Sequence, residues 1–336
     1  MNNAQLICLL DAISTTRIGI IGDFCLDAYW FIDEAMSEIS VETNRATQPV
    51  RQQQYSLGGA GNVAANLAAM GINSIRIFGV IGPDPFGAEM VRIMLAQGMD
   101  THNLLVQQEG WHTHTYAKPY LNELELNRVD FGNYNQLDTA TADRLIDRLI
   151  AGISDIDIMI INQQVPSGIH TDYLKAKLRA VIGQFPEKKF IVDSRHYNDY
   201  YAGSIRKMND TEAVRLCGMV RTPDEPVPYS EVVTAAHALF DRYGKPLFIT
   251  RGSKGSMVID QNGISDIPGL MIVSQVDTVG AGDSYLAGAA SALAAGYDPR
   301  TAAYLGSLVA GVTVQKLFQT GTANRDEILA IGKDPD

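Results

Sequence analysis

Short apolar runs alternate with longer amphipathic stretches along most of the chain. The runs have the length and composition of buried strands, and the stretches between them place apolar residues at helical spacing. This alternation predicts a mainly parallel sheet covered by helices on both faces. The predicted strands are 17–22, 74–82, 156–162, 189–193 and 246–250, and the predicted helices are a first one in MNNAQLICLLDAIS, then 62–70, 85–97, 140–151, 171–184 and 231–243.

Two segments interrupt this alternation. Residues 30–57 and 111–130 are polar, prone to form strands and poor in helix formers. We interpret them as strands of a small separate sheet inserted into the main domain, which would serve as a lid. A pair of long surface hairpins is the alternative interpretation.

The composition is that of a globular protein, with 336 residues of which 46% are hydrophobic and 19% charged. Its net charge of −11 would repel phosphate backbones and anionic membranes, so neither nucleic acid nor a membrane is an expected partner. Cys8, Cys25 and Cys217 are too few and too far apart for a disulfide framework, which favours a reducing, cytoplasmic location. An anionic small molecule remains a candidate ligand, because helix amino termini and metal ions act locally.

The stretch SLGGAGNVAANLAAMG, residues 56–71, places glycines immediately before a predicted helix. Gly59, Gly61 and Ala64 match the pattern G-x-G-x-x-A of nicotinamide and flavin enzymes. However, no acidic residue ends the following strand, where a ribose partner is expected. The glycines also permit close backbone approach, and Asn62 at the helix start could bind a polar ligand or simply cap the helix.

The stretch DTVGAGDSYLAG, residues 277–288, combines glycines and acids in an apolar neighbourhood. Gly280, Ala281 and Gly282 precede a predicted helix, whose first N–H groups could approach a phosphate closely. Asp283 in the first turn has two interpretations, an acid that complements the helix dipole or a general base beside the anion. Both remain open from this motif alone.

The residues that precede this glycine turn are Asp277 and Thr278, at the end of a strand predicted in MIVSQV, residues 271–276. They could orient the turn or contact a nucleotide. No G-x-x-x-x-G-K-[ST] sequence occurs, which excludes a P-loop.

Two further stretches are candidates for nucleotide chemistry. In NDTE, Asn209 and Glu212 could form a capping box or hold Mg²⁺ through its water shell. In FITRGSKGSMVI, residues 248–259, the turn that contains Thr250, Gly252 and Gly255 could seat an adenine or merely close a hairpin.

Taken together and in this order, the motifs resemble those of the ribokinase-like, or PfkB, family of sugar kinases. The resemblance covers residues 17 to 330 approximately and implies a three-layer α/β/α sandwich with a mainly parallel central sheet and a β-sheet lid. It also implies that residues 1–336 form one kinase domain. The matching residues are Gly58, Gly59 and Asn62 for the family's G-G-x-x-x-N, Asn209 and Glu212 for its N-x-x-E, and Asp277 to Asp283 for its D-T-x-G-A-G-D.

The resemblance implies transfer of the γ-phosphoryl group of ATP to a sugar hydroxyl. Asp283 would accept the hydroxyl proton, and the backbone of Gly280, Ala281 and Gly282 would stabilise the transferring charge. Asp27, Gly58, Gly59 and Asn62 would bind the sugar, while Asn209 and Glu212 would hold Mg²⁺ through water. The implied ATP-binding residues are Arg195, Asn209, Thr250, Gly252, Gly255, Thr278, Gly280 and Gly282.

One feature that the family implies has no support in the local sequence. A monovalent cation, K⁺, would lie near Asp277 and Val279, as in several relatives. A lid built from edge strands would pair with a second copy, so we expect a homodimer joined through the lids.

A closer resemblance, to the kinase half of bacterial bifunctional heptose enzymes, rests on GDFCLDAYW, GGAGNVAANLAAMG, LNRVDF and VQKLFQTGTANRDEI. It implies the anomeric hydroxyl of heptose 7-phosphate as acceptor, with Arg128 contacting the sugar or its distal phosphate. NQQVPSG replaces the expected D-Y-x-K-G, and DSRHYN replaces D-P-K-G, so that Arg195 would substitute a planar fork for the lysine. These departures leave open another sugar or nucleoside, and a non-catalytic relative that binds sugar or nucleotide.

Overall fold

Two separate sheets organise the structure, a computed structural model that describes residues 1–122, 124–222, 225–272, 275–316 and 321–332. Nine strands form the larger sheet and five form the smaller one. The strands are β1 (Arg17–Gly22), β2 (Phe24–Ile32), β3 (Val50–Gly59), β4 (Ser74–Ile81), β5 (Asp100–Val106), β6 (His114–Leu121), β7 (Leu124–Glu125), β8 (Val129–Phe131), β9 (Ile158–Gln163), β10 (Lys189–Ser194), β11 (Ile205–Asn209), β12 (Leu247–Thr250), β13 (Ser256–Asp260) and β14 (Gly263–Ile267).

The larger sheet has the order β14-β13-β12-β11-β10-β9-β1-β4-β5. Its strands are parallel from β5 to β12, and β13 and β14 add an antiparallel edge. Ile18 of β1 pairs with Ile75 of β4 on one side and with Ile158 of β9 on the other. Consecutive residues Ile20 and Ile21 are both fully buried, because helices cover both faces of the sheet.

The helices complete three layers. One face of the larger sheet packs against α1, α2, α3, α8, α9 and α10, and the other packs against α4 to α7. The predicted parallel sheet with helices on both faces is therefore confirmed. The helices are α1 (Asn3–Ser14), α2 (Ala60–Ala69), α3 (Pro85–Ala96), α4 (Thr139–Gly152), α5 (Asp172–Gln184), α6 (Asp210–Leu216), α7 (Tyr229–Tyr243), α8 (Ala281–Ala294), α9 (Pro299–Thr313) and α10 (Arg325–Ile331).

The smaller sheet has the order β3-β2-β6-β7, with β8 also paired to β6. Its strands come from the two polar segments, which confirms that they form a separate sheet rather than isolated hairpins. Its first strand, β2, begins earlier than predicted because a single residue, Asp23, separates it from β1. Asp27 therefore lies within this sheet.

The boundaries of the predicted elements agree with the structure to within a few residues. Three strands of the larger sheet, β5, β11 and β14, and two helices, α9 and α10, were not predicted. The strand predicted at 271–276 lies partly outside the described residues, and its described residues, 271–272 and 275–276, are in no strand. Pro268, directly after β14, cannot donate a ladder hydrogen bond, and Met271 is 94% exposed rather than packed in a sheet.

No helix in the described ranges is both long and apolar enough to cross a membrane.

Candidate active site

A cleft of about 410 Å³ lies at the carboxyl ends of β9, β10 and β11, against the amino terminus of α8. This edge of an open parallel sheet is where ligands bind in α/β folds. The lining residues come from four separate parts of the chain, and several are candidates from the sequence. They are Gln164, Asp193, Arg195, Lys207, Asn209, Glu212, Thr278, Val279, Gly280, Gly282 and Asp283.

The amino terminus of α8 opens directly onto this cleft. Gly280 is the residue before the helix and has a left-handed conformation, with φ of 79°, which glycine adopts without steric cost. The Asp277 carboxylate accepts a hydrogen bond from the Val279 N–H at 3.0 Å and so fixes the turn. Gly282 faces Lys207 so closely that a methyl group there would lie 2.9 Å from Nζ. The Ala281 N–H donates to the Thr278 carbonyl at 3.2 Å, and the other N–H groups of the first turn have no intrahelical acceptor and can bind an anion.

Asp283 lies in this first turn and is held by the other glycine-rich motif. Asn62 of α2 donates from Nδ2 to Asp283 Oδ2 at 3.0 Å, across 221 positions of sequence. Burial, with a smaller contribution from the nearby Asp193 charge, raises the pKa of Asp283 to about 6, although Asn62, Lys207 and Arg195 oppose this rise. A carboxylate with a pKa near neutrality is well matched to accepting and releasing a proton.

Asp193 and Lys207 form a buried ion pair beside Asp283. Lys207 Nζ lies 2.8 Å from Asp193 Oδ2, and the two side chains are 8% and 9% exposed. Although burial lowers the pKa of the Lys207 ammonium, the Asp193 carboxylate more than offsets this effect and raises it overall. Lys207 is therefore charged at neutral pH and faces the cleft.

Asn209 and Glu212 form a complete capping box at the start of α6. Asn209 Oδ1 accepts from the Glu212 N–H at 2.8 Å, and Glu212 Oε2 accepts from the Asn209 N–H at 2.9 Å. Both residues nevertheless line the cleft. Burial first, and then the Asp193 charge, raise the pKa of Glu212 above its ordinary value. Capping is thus one role of this pair, and its place in the cleft lining allows a second.

The side chain of Gln164 lies between Arg195 and the smaller sheet. Arg195 Nε donates to Gln164 Oε1 at 3.1 Å, and Gln164 Cγ would lie 3.6 Å from a methyl group added at Gly59.

Thr250 is the register partner of Asn209 on the next strand. Gly252 and Gly255, both with positive φ, shape the turn that follows Thr250. These last three residues do not line the cleft as the structure describes it.

A second group of candidate residues lies on the smaller sheet. Lys118 Nζ of β6 lies 2.7 Å from Asp27 Oδ1 of β2, and their side chains are 15% and 10% exposed. A methyl group added at Gly58 would come 3.1 Å from Asp27 Oδ2. Although burial lowers the pKa of Lys118, the Asp27 charge raises it overall, so Lys118 is a cation at neutral pH. The sugar site expected at Asp27 therefore contains a paired cation.

Arg128 lies near this group but has its own partner. Its guanidinium donates to both oxygens of Asp130, at 2.6 and 2.8 Å, and lies 4.4 Å from the centre of the Tyr116 ring. Tyr116 is the register partner of Asp27. The hydrogen bond to Asp130 raises the pKa of Arg128, and the Asp27 charge contributes to this rise. Arg128 thus belongs to the charged surroundings of Asp27.

Asp23 fixes the point where the chain passes from the larger sheet to the smaller one. Its carboxylate accepts from the N–H groups of Gln164, Val165 and Ile169, at 2.9, 3.2 and 2.9 Å. Its carbonyl accepts from the Ala60 N–H at 3.0 Å, at the start of α2. This residue therefore ties the smaller sheet to the strand end that lines the cleft.

Sequence reasoning missed five of these residues, namely Asp23, Lys118, Gln164, Asp193 and Lys207. Asp23 and Asp193 each follow a buried apolar run, a position from which the edge of the sheet could have been recognised. Lys207 precedes Asn209 by two residues, so both face the same side of β11. That signal was hidden because β11, with the sequence IRKMN, does not read as an apolar strand.

Comparison with known proteins identifies relatives that match most of this chain. Bifunctional protein HldE of Gluconobacter oxydans is 29% identical over 325 residues, which cover 95% of this chain and 65% of that protein. The chain spans less than two thirds of the length of this relative and of HldE from Mesorhizobium japonicum, of which it covers 58%.

Solved structures with the same fold include those of two kinases. Escherichia coli phosphofructokinase-2, in complex with substrates and products, has a TM-score of 0.73 at 17% identity and covers 94% of this chain and 98% of its own. Arabidopsis thaliana ribokinase, complexed with ribose and ATP, has a TM-score of 0.68 at 18% identity, with the same coverage. This likeness establishes a ribokinase-like three-layer fold with a smaller separate sheet.

The family model of pfkB carbohydrate kinases matches residues 29–324. The match begins within β2 and ends beyond the carboxyl end of α9, and it includes every residue that lines the cleft. Because this match covers well over half of the sequence, the chain belongs to the pfkB family of carbohydrate kinases.

Proposed function

We propose that this protein is an ATP- and Mg²⁺-dependent kinase that phosphorylates a hydroxyl group of a sugar or sugar phosphate. The hydrogen bond between Asn62 and Asp283 is the observation on which this proposal rests. It joins a residue expected to bind sugar to the expected base, at the amino terminus of a helix that can bind phosphate.

In this proposal Asp283 accepts the proton of the attacking hydroxyl, for which its pKa of about 6 is suitable. The N–H groups at Gly280, Ala281 and Gly282 stabilise negative charge on the transferred phosphoryl group. Lys207 and Arg195 supply positive charge along the same cleft. The acceptor hydroxyl approaches from the side of the smaller sheet, where Asp27, Gly58 and Gly59 lie. Thr278, Thr250, Gly252 and Gly255 complete the nucleotide side.

The charges in the cleft fit a divalent cation. Its described lining includes three carboxylates, Asp193, Glu212 and Asp283, against two cations, Arg195 and Lys207. A nucleoside triphosphate adds further negative charge, which this set of side chains does not balance. Asn209 and Glu212 offer oxygen ligands that Mg²⁺ accepts directly or through water. The bound cation would neutralise phosphate charge and orient the nucleotide.

A second cation, K⁺, is part of the proposal near Asp277 and Val279, beside the turn that Asp277 fixes. A solved structure of phosphofructokinase-2 from Escherichia coli contains potassium and shares the fold, with a TM-score of 0.71. Replacing K⁺ by Na⁺ at constant ionic strength tests this point, and equal turnover in both salts would exclude it.

We propose a sugar that already bears a phosphate, of the heptose 7-phosphate type, as the acceptor. Lys118 and Arg128 support this choice as candidate phosphate ligands, since a phosphate could replace their carboxylate partners, Asp27 and Asp130. Hexoses, pentoses such as ribose, and nucleosides such as adenosine are the competing substrates.

The smaller sheet is proposed to act as a lid and to join two copies in a homodimer. Met36, Ile39 and Val41, in the connection between β2 and β3, are 75%, 59% and 100% exposed. Light scattering at micromolar concentration should show a dimer that I39D or V41D converts to monomer. V220D, at an equally exposed valine remote from this sheet in sequence, is the control. A monomeric native protein would contradict this part of the proposal.

The decisive experiment is an ATP-consumption screen with heptose 7-phosphate, hexoses, pentoses, their phosphates and nucleosides. We expect strong stimulation by one sugar phosphate in the native protein and near-complete loss in D283N. Calorimetry of ATP binding separates the alternative of a non-catalytic relative, since such a protein would bind ATP without any sugar stimulating turnover. Full activity in D283N would also overturn the proposal.

A further inference from the structure

A second buried asparagine lies behind Asn62, one helical turn further along α2. Asn66 is fully buried and lies outside the cleft. Its Nδ2 is 3.0 Å from the Asn62 carbonyl oxygen, 3.2 Å from Asn62 Oδ1 and 3.5 Å from the Gly321 carbonyl oxygen. Three oxygen atoms therefore surround one end of the Asn66 amide.

This arrangement fixes the orientation of two amide groups in succession. Two of the three oxygens are backbone carbonyls, which only accept hydrogen bonds, so the atom of Asn66 that faces them must be the donor Nδ2. The third, Asn62 Oδ1, then accepts from Asn66. Because Oδ1 of Asn62 is held there, its Nδ2 points to Asp283 Oδ2, 3.0 Å away.

We propose that Asn66 is a positioning residue for phosphoryl transfer, which fixes the donor end of the Asn62 amide toward Asp283. The inference rests on the proposed role of Asp283 as base. An amide that donates stabilises the ionised carboxylate, whereas an amide turned by 180° presents an oxygen and stabilises the protonated form. Asn66 thus keeps the carboxylate in the form that can accept a proton, without touching it.

Other charged and titratable groups also act on Asp283 from the surrounding elements. Asp193 of β10 favours its protonated form, and Lys207 of β11 and Arg195 favour its ionised form. Cys25 of β2 is also near enough to interact with it electrostatically. A substitution at Asn66 leaves all four in place, so a change in the titration of Asp283 would report the Asn62 amide.

The test is the pH dependence of kcat at saturating ATP and sugar for N66L. We expect the midpoint of the acid limb to rise by about one pH unit, which is roughly a tenfold change in the ionisation equilibrium. Activity above pH 8 should stay within a few-fold of native. A loss by the same factor at every pH, with an unmoved midpoint, would show a merely structural role and overturn the proposal.

A double-mutant cycle makes the test specific. In the N62L background, N66L should produce no further shift, because the amide through which it acts is gone. An equal shift with and without Asn62 would contradict the inference. S291A, which removes a buried hydroxyl on α8 that bonds only to the Gly288 carbonyl, is the matched control and should not move the midpoint.

Two further measurements cover the remaining outcomes. If N66L does not fold, N66S replaces it in the test. Its hydroxyl can reach the Asn62 carbonyl but is too short to reach Asn62 Oδ1, so we expect the same rise in the midpoint of the acid limb. Carboxyl ¹³C titration, with the Asp283 signal assigned by its loss in D283N, reports the ionisation without turnover. An unchanged pKa of Asp283 in the Asn66 variant overturns this inference. A shifted pKa in a protein that no sugar activates would overturn only the proposed function.

Discussion

Lys207 and Asp193 lie on neighbouring parallel strands and form an ion pair of 2.8 Å, almost completely buried beneath the start of α8. Removing one member of a buried pair leaves an uncompensated charge, which costs about 3–5 kcal/mol. We therefore expect K207M to lower the free energy of unfolding by an amount in this range, measured by urea denaturation at pH 7.

The double variant D193N/K207M separates stability from function. With both charges removed, most of the lost stability should return, because neither residue is left charged and buried. Turnover should remain low, since the phosphate groups still lack the Lys207 charge. Recovery of native kcat in the double variant would show that the pair has a structural role alone.

The two acids of the glycine turn should differ sharply in their effect on catalysis. D283N should lower kcat at least a hundredfold, the lower end of what removing a general base costs, with ATP binding retained. D277N should cost much less, because Asp277 acts on the Val279 N–H and an asparagine oxygen can still accept that bond. Steady-state kinetics and calorimetry of ATP binding test both, and equal losses would contradict the assignment of roles.

D283N should also stabilise the ligand-free protein. Because folding raises the pKa of Asp283 to about 6, the folded state binds more protons than the unfolded state between about pH 4 and 6. Stability is therefore lost as pH rises through this window, by at most roughly 3 kcal/mol. D283N removes the effect, so its melting temperature should exceed that of the native protein at pH 7 and match it near pH 4.

The core could be predicted from the sequence because its strands are continuous apolar runs. Ile18 and Ile20 face one helical layer and Ile21 the other, so no polar residue interrupts the pattern. Strand β11 escaped prediction because it contains Arg206 and Lys207. Arg206 is fully buried and donates to the carbonyl groups of Asn198, Tyr201 and Ser204, partners that a one-dimensional pattern cannot reveal.

The candidate site was predictable only as far as its residues belong to motifs. Asp283 and Asn62 each had a plausible structural role alone, and their hydrogen bond depends on two helices packing together across 221 positions. Lys118 gave no signal, since its partner Asp27 lies on another strand that pairs with it only in the folded sheet. Physical contact between distant segments, rather than residue type, distinguishes these positions.

Lys118 offers a test of which substrate the smaller sheet selects. In K118M the Asp27 carboxylate, which is only 10% exposed, loses its ionic partner, and a cation is lost from the expected sugar site. We expect KM for the sugar phosphate to rise at least tenfold while KM for ATP stays within about twofold, because Lys118 does not line the nucleotide cleft. K177M, which removes an exposed lysine paired with Asp143, is the control and should change neither value. If Lys118 contacts the phosphate of the substrate, K118M should raise KM less for the unphosphorylated sugar than for the sugar phosphate. An equal rise in KM for both would instead assign Lys118 to the sugar hydroxyls through Asp27.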